Sequence, residues 1–244
     1  MNPQKQAPVT KEALLNAFKQ NDLDALIDDG KAALLCQFAD ILIETNKTTN
    51  LTAITSPNEV ILKHFVDCAS ISLHIPSNSS VIDVGCGAGF PSIPLAIVRP
   101  DLKITSLDST GKKVDFVTAA AKALSLSNIT PICGRAEELP SLREKFDVCT
   151  SRAVARLNVL SELCIPFVRK GGIFLAMKSS KGSEEHTEAY LGIKKLGAEL
   201  ISSSQDSFSF ENLTIARELY IYQKISATPS QYPRKYAQIL KKPL

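Results

Sequence analysis

Apolar residues recur at three- and four-residue spacings from residue 10 to about residue 46, through Leu14, Leu15, Phe18, Leu23, Leu26 and Ile27, then Leu34, Leu35, Phe38 and Ile41. That period predicts helix. Residues 48–57, rich in Thr and Asn, interrupt it, and a further helix is predicted from Pro57 to about Leu73. From Ser80 the pattern changes to short apolar runs alternating with helical stretches. Strands are predicted at 80–83, 102–108, 129–133, 146–151 and 171–178, with helices at 91–99, 112–126 and 158–168 between them. Alternating units of this length imply a mainly parallel sheet covered by helices on both faces. The ending differs: a helix at 183–196 precedes two strands, 199–210 and 213–225, joined by a short polar turn, which reads as a terminal antiparallel hairpin.

At 244 residues the chain can bury a sizeable core, and one main domain with an appendage is expected. Hydrophobic content of 44% and charged content of 22% are ordinary for a globular protein, and no apolar run approaches the roughly 20 residues of a membrane span. The N-terminal residues lack the apolar core of a secretory signal, so a cytoplasmic location without membrane attachment is expected. Six dispersed cysteines without a C-x-x-C pair predict reduced thiols and no metal site. The net charge of +3 is small, but Arg234, Lys235, Lys241 and Lys242 stand in the last thirteen residues without an acid. That tail suits either phosphate contact or simple solvation. In the second case it packs across the terminal hairpin with Tyr232, Tyr236 and Leu240 buried.

Candidate chemistry concentrates at Ser80-Val-Ile-Asp-Val-Gly-Cys-Gly-Ala-Gly-Phe90, an apolar run ending in Asp83 and followed by glycines at 85, 87 and 89. Glycine turns of this kind also serve ordinary loops. The strand, turn, helix, strand order around them favours a nucleotide-like ligand, because the second strand ends in Asp108, nineteen residues after Gly89, where a ribose diol would lie. The G-x-G-x-G spacing differs from the G-x-G-x-x-G that seats a pyrophosphate on a helix N-terminus. An adenosyl ligand without phosphate, S-adenosylmethionine, therefore fits better than NAD.

Such a cofactor carries an activated methyl group, so transfer needs mainly an aligned lone pair. Exocyclic amines commonly use an Asn/Asp-Pro-Pro-aromatic turn after the fourth strand, where this chain has Thr150-Ser-Arg-Ala-Val-Ala155. Pyrimidine C5 needs a cysteine adduct, usually from a Pro-Cys pair, and the chain has none. Acceptors with a free lone pair, such as guanine N7, or hydroxyls with a separate base remain.

Asn50-Leu-Thr-Ala-Ile, Lys63-His-Phe-Val-Asp67, residues 85–97, Leu107-Asp-Ser-Thr-Gly-Lys-Lys113, Arg135-Ala-Glu137, Thr150-Ser-Arg-Ala-Val-Ala155, Tyr232-Pro-Arg-Lys235 and Lys241-Lys-Pro-Leu244 resemble, in order, the bacterial small-subunit ribosomal RNA guanine-N7 methyltransferase family, RsmG. The resemblance implies an α/β fold of class I S-adenosylmethionine-dependent type: a Rossmann-like, mostly parallel sheet with a terminal antiparallel hairpin and an N-terminal helical cap. It implies methylation of a guanine in the decoding-region loop of 16S rRNA, with that RNA or the small subunit as partner; no obligate protein partner is evident in the sequence. The family's cofactor contacts fall on Gly85, Phe90, Asp108, Ala136, Glu137 and Arg152, joined here by Asp83, Gly87 and Gly89. Its RNA contacts fall on Asn50, Arg135, Lys178 and Arg217, alongside Arg234, Lys235, Lys241 and Lys242.

Each assignment has a plainer counterpart. Glu137 equally suits a charge at a helix N-terminus, Arg152 an ion pair and Lys178 a snorkelling lysine. His64, among apolar neighbours, reads as a packed, hydrogen-bonded histidine. No acid or base is assigned to catalysis, and Arg152 and Lys178 are cast as positioning groups. The chain departs from the family at Ser92 and Ser179, where glycine is usual, and at Tyr236-Ala-Gln-Ile239, which replaces Pro-Gly-Thr-Pro. The expected division is a cap over 1–75, a methyltransferase domain over 76–228 and a basic tail over 229–244. Rival readings are a methyltransferase for another RNA guanine or a small molecule, and a non-catalytic ribosome-binding protein that keeps the cofactor fold.

Overall fold

Alternate residues of the central strands face opposite apolar layers, as a sheet covered on both sides requires. Val81, Ile104, Val148, Leu175 and Ile221 join one cluster, while Ile82, Leu107, Cys149, Phe174 and Tyr222 join another. The computed structural model describes residues 7–179 and 181–244. The expectation that no secretory signal occupies the N-terminus falls largely on residues 1–6, outside that range, as does the start of the 1–75 cap.

Seven strands form one sheet in the order β3-β2-β1-β4-β5-β7-β6. β1 (Ser80–Val84), β2 (Lys103–Asp108), β3 (Ile129–Cys133), β4 (Phe146–Arg152) and β5 (Val168–Lys178) are parallel. β6 (Ala198–Phe210) and β7 (Leu213–Lys224) form the antiparallel hairpin, with β7 against β5. The strand order reverses between β1 and β4, and ligands of open α/β sheets collect at such a point, beyond the carboxyl ends.

The N-terminal periodicity resolves into two helices, α1 (Lys11–Gln20) and α2 (Asp29–Thr49), not one. The break has local causes: Asp22 adopts a left-handed conformation (φ 57°), and Asp28 caps α2 by accepting from Lys31 N at 2.8 Å. The Asn21 amide fastens the break to the hairpin, donating to Ser209 O at 2.8 Å and accepting from Ser209 N at 2.9 Å. Both helices present apolar faces to one core, so the spacing carries across the break. α3 (Pro57–Val60), a π turn (Ile61–Val66) and α4 (Asp67–Ser70) continue the helical path, followed by α5 (Ser92–Val98) and α6 (Gly111–Ala123). Phe38 on α2 is fully buried, with ring centroids 6.0 Å from Phe65, 5.4 Å from Phe90 and 6.4 Å from Phe116. Such aromatic pairs contribute about 0.5–1.5 kcal/mol each beyond their area. These contacts tie the N-terminal helices to the glycine turn, on the sheet face that carries Asp83 and Asp108.

α7 (Leu157–Cys164) and α8 (Gly182–Lys195) cover the opposite face. A short terminal helix, α9 (Tyr236–Lys241), was not signalled by the sequence, since six residues carry too little periodicity. No helix among the described residues is long and apolar enough to cross a membrane. The described cysteines are all free thiols.

Candidate active site

The three glycines of the first turn do different work. Gly85 (φ +77°) has no room for a side chain, because a Cβ would run into Val154. Gly87 (φ +57°) faces open space. A Cβ on Gly89 (φ +84°) would lie 2.6 Å from Ile93 Cδ1, so this glycine lets the turn pack on α5 and does not line the cavity. Asp108 ends β2 beside the turn: Oδ2 accepts from Gly87 N and Oδ1 from Thr110 N, both at 2.9 Å. Two backbone amides thus fix the carboxylate while each oxygen keeps a lone pair to accept a hydroxyl.

A cavity of about 480 Å³ opens above this carboxylate. It runs from Thr52 and His64, past residues 85–88 and Asp108, to Glu137, Leu163 and Tyr236. Gly85, Gly87, Phe90, Asp108, Ala136, Glu137 and Arg152 of the expected cofactor set line it. Asp83 lies beneath, wholly buried, with Oδ2 accepting from the Ser92 hydroxyl and from Ser92 N at 3.3 Å. Ser92 also meets Ser106 Oγ at 2.8 Å, so the serine that departs from the family pattern is absorbed by a buried polar chain. Asp83 Oδ1 and Thr150 Oγ1, on paired positions of β1 and β4, have no partner among the described residues.

Burial pushes the Asp83 carboxyl up to about 7, against the opposing pull of the Ser92 hydrogen bonds. The folded chain therefore keeps a proton that the unfolded chain releases between about pH 4 and 7, and the group's contribution to stability falls across that window as pH rises. Asp83→Asn should gain in melting temperature relative to wild type as pH rises from 4.5 to 7.5. A difference that stays constant across the series would refute a raised Asp83.

Arg152 is held on three sides. Its guanidinium donates to Lys63 O at 2.9 Å, to Asp67 Oδ2 at 3.1 Å and toward His64 Nδ1 at 3.1 Å. Arginine only donates, so Nδ1 must accept and the His64 proton sits on Nε2, 3.2 Å from Thr52 Oγ1. Burial first, and the Arg152 charge second, push the His64 pKa down to about 3. The ring stacks on Phe90 with centroids 4.1 Å apart. His64 is thus the packed, neutral histidine expected from its neighbours, although its position on the cavity wall was not anticipated.

Among the RNA candidates, only Arg135 lines the cavity, donating to Glu137 Oε1 at 2.7 Å. Asn50, exposed and left-handed (φ 50°), caps the end of α2. Lys178 donates to Ala155 O at 2.8 Å and pairs with Glu185 at 2.6 Å, bracing the loop after β4. Arg217 pairs with Asp67 at 2.7 Å, on the side away from Arg152. Arg234 forms a forked pair with the wholly buried Glu162 at 2.5–3.2 Å. Lys235, Lys241 and Lys242 are exposed. The tail folds against α7 through Ile239, fully buried with Val159 and Leu163, while Tyr232 is buried and Leu240 exposed.

Sequence reasoning missed Thr52, Lys113, Val154, Leu163 and Tyr236 as lining residues. Lys113 lies in a quoted motif, 4.0 Å from Asp108, and could have been found from its position one turn into α6. Thr52 and Val154 likewise lie in motifs given above, whereas Leu163 and Tyr236 arrive by long-range folding. Among the described residues no cluster of His, Cys, Asp or Glu could hold a metal ion.

Residues 31–208 match the family model described as rRNA small subunit methyltransferase G (GidB). A protein of Staphylococcus carnosus named ribosomal RNA small subunit methyltransferase G is 42% identical over 93% of this chain and 96% of its own length. One of the same name from Staphylococcus saprophyticus is 46% identical over 85% and 87%. The fold is shared with solved structures of low identity. TYW2 of M. jannaschii, solved in complex with AdoMet, superposes with a TM-score of 0.54 at 17% identity, covering 65% of this chain and 75% of that one. A protein of Bacillus halodurans described as a putative methyltransferase gives 0.51 at 16% identity, covering 66% and 99%.

Proposed function

The chain belongs to the rRNA small subunit methyltransferase G family, and on that premise we propose that it binds S-adenosylmethionine beside Asp108 and methylates N7 of a guanine in the decoding-region loop of 16S rRNA. The residues fit the cofactor: a doubly anchored carboxylate stands where a ribose diol needs an acceptor, beside a glycine that leaves open space. Bound there, the cofactor supplies a methyl group already activated on a sulfonium.

In this reading Asp108 accepts the ribose hydroxyls, and Ala136 and Glu137 meet the adenine edge. Asp83, with Oδ1 unpartnered, orients the turn or meets the cofactor's amino group. Arg152, locked by Asp67 and Lys63 O, presents a cation to the methionine carboxylate or an RNA phosphate. Of the expected 1–75 cap the described part, from residue 7, serves as the cap, with 76–228 as the transferase domain and 229–244 as a basic tail.

The observation that carries the choice of N7 is the state of His64. The imidazole on the cavity wall has its pKa pushed down to about 3, which makes it a weak proton acceptor, and its lone pair on Nδ1 is already taken by Arg152. An acceptor that must lose a proton would need a base there, whereas guanine N7 attacks with a lone pair it already owns. N7 lies in the deep major groove of an RNA helix, so the target must sit in a loop or be extruded. Single-turnover methylation should therefore show no essential base titrating near neutrality, and His64→Gln should keep most of the chemical step. Loss of that step with cofactor and RNA binding intact would contradict the direct mechanism. Labelled transfer to deproteinised RNA against assembled subunits identifies the substrate form, and failure on both would favour the non-catalytic reading.

The tail supports RNA contact through three exposed cations, since Arg234 is committed to Glu162. Each phosphate contact contributes roughly 0.7 units of salt slope on single strands, so Lys235, Lys241 and Lys242 changed together to Gln should flatten the slope by about two units if all three make contact. A wild-type slope in the triple variant would assign these lysines to solvent.

A further inference from the structure

The segment in which this chain departs most from the family pattern also contributes a residue, Tyr236, to the wall of the cavity. Tyr236 begins α9, and its ring faces the space above residues 134–137, which follow β3. β3 lies one strand outward from β2, whose Asp108 marks the ribose position, so this end of the cavity is where a purine attached to that ribose would extend. The ring is not a loose surface group. The Arg135 guanidinium lies 4.9 Å over it and is itself held by Glu137 at 2.7 Å. The helix that carries it is fastened from both sides. Upstream, Arg234 forks onto buried Glu162 and Arg143 donates to Tyr232 O; downstream, Ile239 is fully buried against Val159 and Leu163. Leu163 also lines the cavity, so one apolar contact serves both α9 and the site.

We infer that Tyr236 is a cofactor-contacting residue at the adenine end of the cavity, so that docking of α9 and binding of cofactor stabilise each other. The inference rests on the cofactor reading of the cavity. The ring supplies an aromatic wall to the purine, and the Arg135–Glu137 pair fixes that wall in place. Because coupling between two equilibria is reciprocal, anything that frees α9 weakens the cofactor, and the cofactor orders the tail that carries Lys235, Lys241 and Lys242.

The test uses the full chain and S-adenosylmethionine. By calorimetry, Tyr236→Ala should bind about tenfold more weakly, within the range for loss of one base–aromatic stack, while Tyr236→Phe keeps the wild-type affinity to within about twofold. Independently of any variant, hydrogen exchange in wild-type protein should slow at the amides of 236–241 when cofactor is added. Wild-type affinity in Tyr236→Ala overturns the inference, and so does exchange in 236–241 that ignores saturating cofactor. Unchanged cofactor affinity with weakened RNA binding would give the ring to the target base and equally overturn it. If wild type binds cofactor and Asp108→Ala weakens that binding, any of these results removes Tyr236 alone. If wild type binds no S-adenosylmethionine, the cofactor reading itself fails.

Discussion

Asp67→Ala should lower stability by about 3 kcal/mol, the largest effect expected of any single change at the site. Asp67 is wholly buried and bridges two guanidinium groups, Arg217 through Oδ1 at 2.7 Å and Arg152 through Oδ2 at 3.1 Å. Truncation leaves both cations without their anion, and breaking a buried pair in this way costs about 3–5 kcal/mol. The lower end applies because the Arg217 side chain is 27% exposed and water takes part of its load, whereas Arg152 at 16% has less relief. For a chain of this size the melting temperature should fall by about 6–12 °C. Arg217→Gln removes only the wetter partner and should cost much less. Thermal unfolding of the two variants side by side decides the matter: equal, small losses would mean that Asp67 is not the centre of the network.

Asp108→Ala should weaken S-adenosylmethionine binding by about 1.5–3 kcal/mol, or roughly ten- to 150-fold in Kd, the range for hydrogen bonds to a charged group. Two causes act together. The acceptor for the ribose hydroxyls is removed, and the amides of Gly87 and Thr110 lose the carboxylate that sets the turn. Asp108→Asn keeps an oxygen for one amide and should fall between wild type and Ala. Calorimetric affinity indistinguishable from wild type in the Ala variant would take Asp108 out of the site.

Local pattern made the strands, the β1 turn and Asp108 legible, because period-two alternation, left-handed glycines and a carboxylate at a strand end are all consequences of short-range chemistry. The same pattern could not sort the glycines. Gly87 faces the cavity and Gly89 faces Ile93, a difference set by what packs on the turn. Nor could it show that α1 and α2 are separate helices, since both turn their apolar residues to one core and the spacing carries across the break. The polar frame of the site is non-local. Arg152 meets His64 88 residues back, Arg217 meets Asp67 across 150, and Arg234 finds Glu162 across 72. A basic tail read as four solvated or RNA-bound charges therefore becomes three exposed lysines and one structural arginine. Lys178, at the strand end where ligands collect, is likewise drawn to Glu185 and the Ala155 carbonyl once α8 packs alongside.

Strand scission at 7-methylguanine tests the proposed reaction most directly, because only a guanine methylated at N7 becomes labile to reduction and base-catalysed cleavage of the RNA. Small-subunit rRNA from cells that lack this protein would be incubated with the purified chain and methyl-labelled cofactor, then cleaved and mapped. The account predicts one new scission site within the decoding-region loop, coincident with the label and lost in Asp108→Ala at limiting cofactor. Label incorporated without scission, or scission outside that loop, would contradict it.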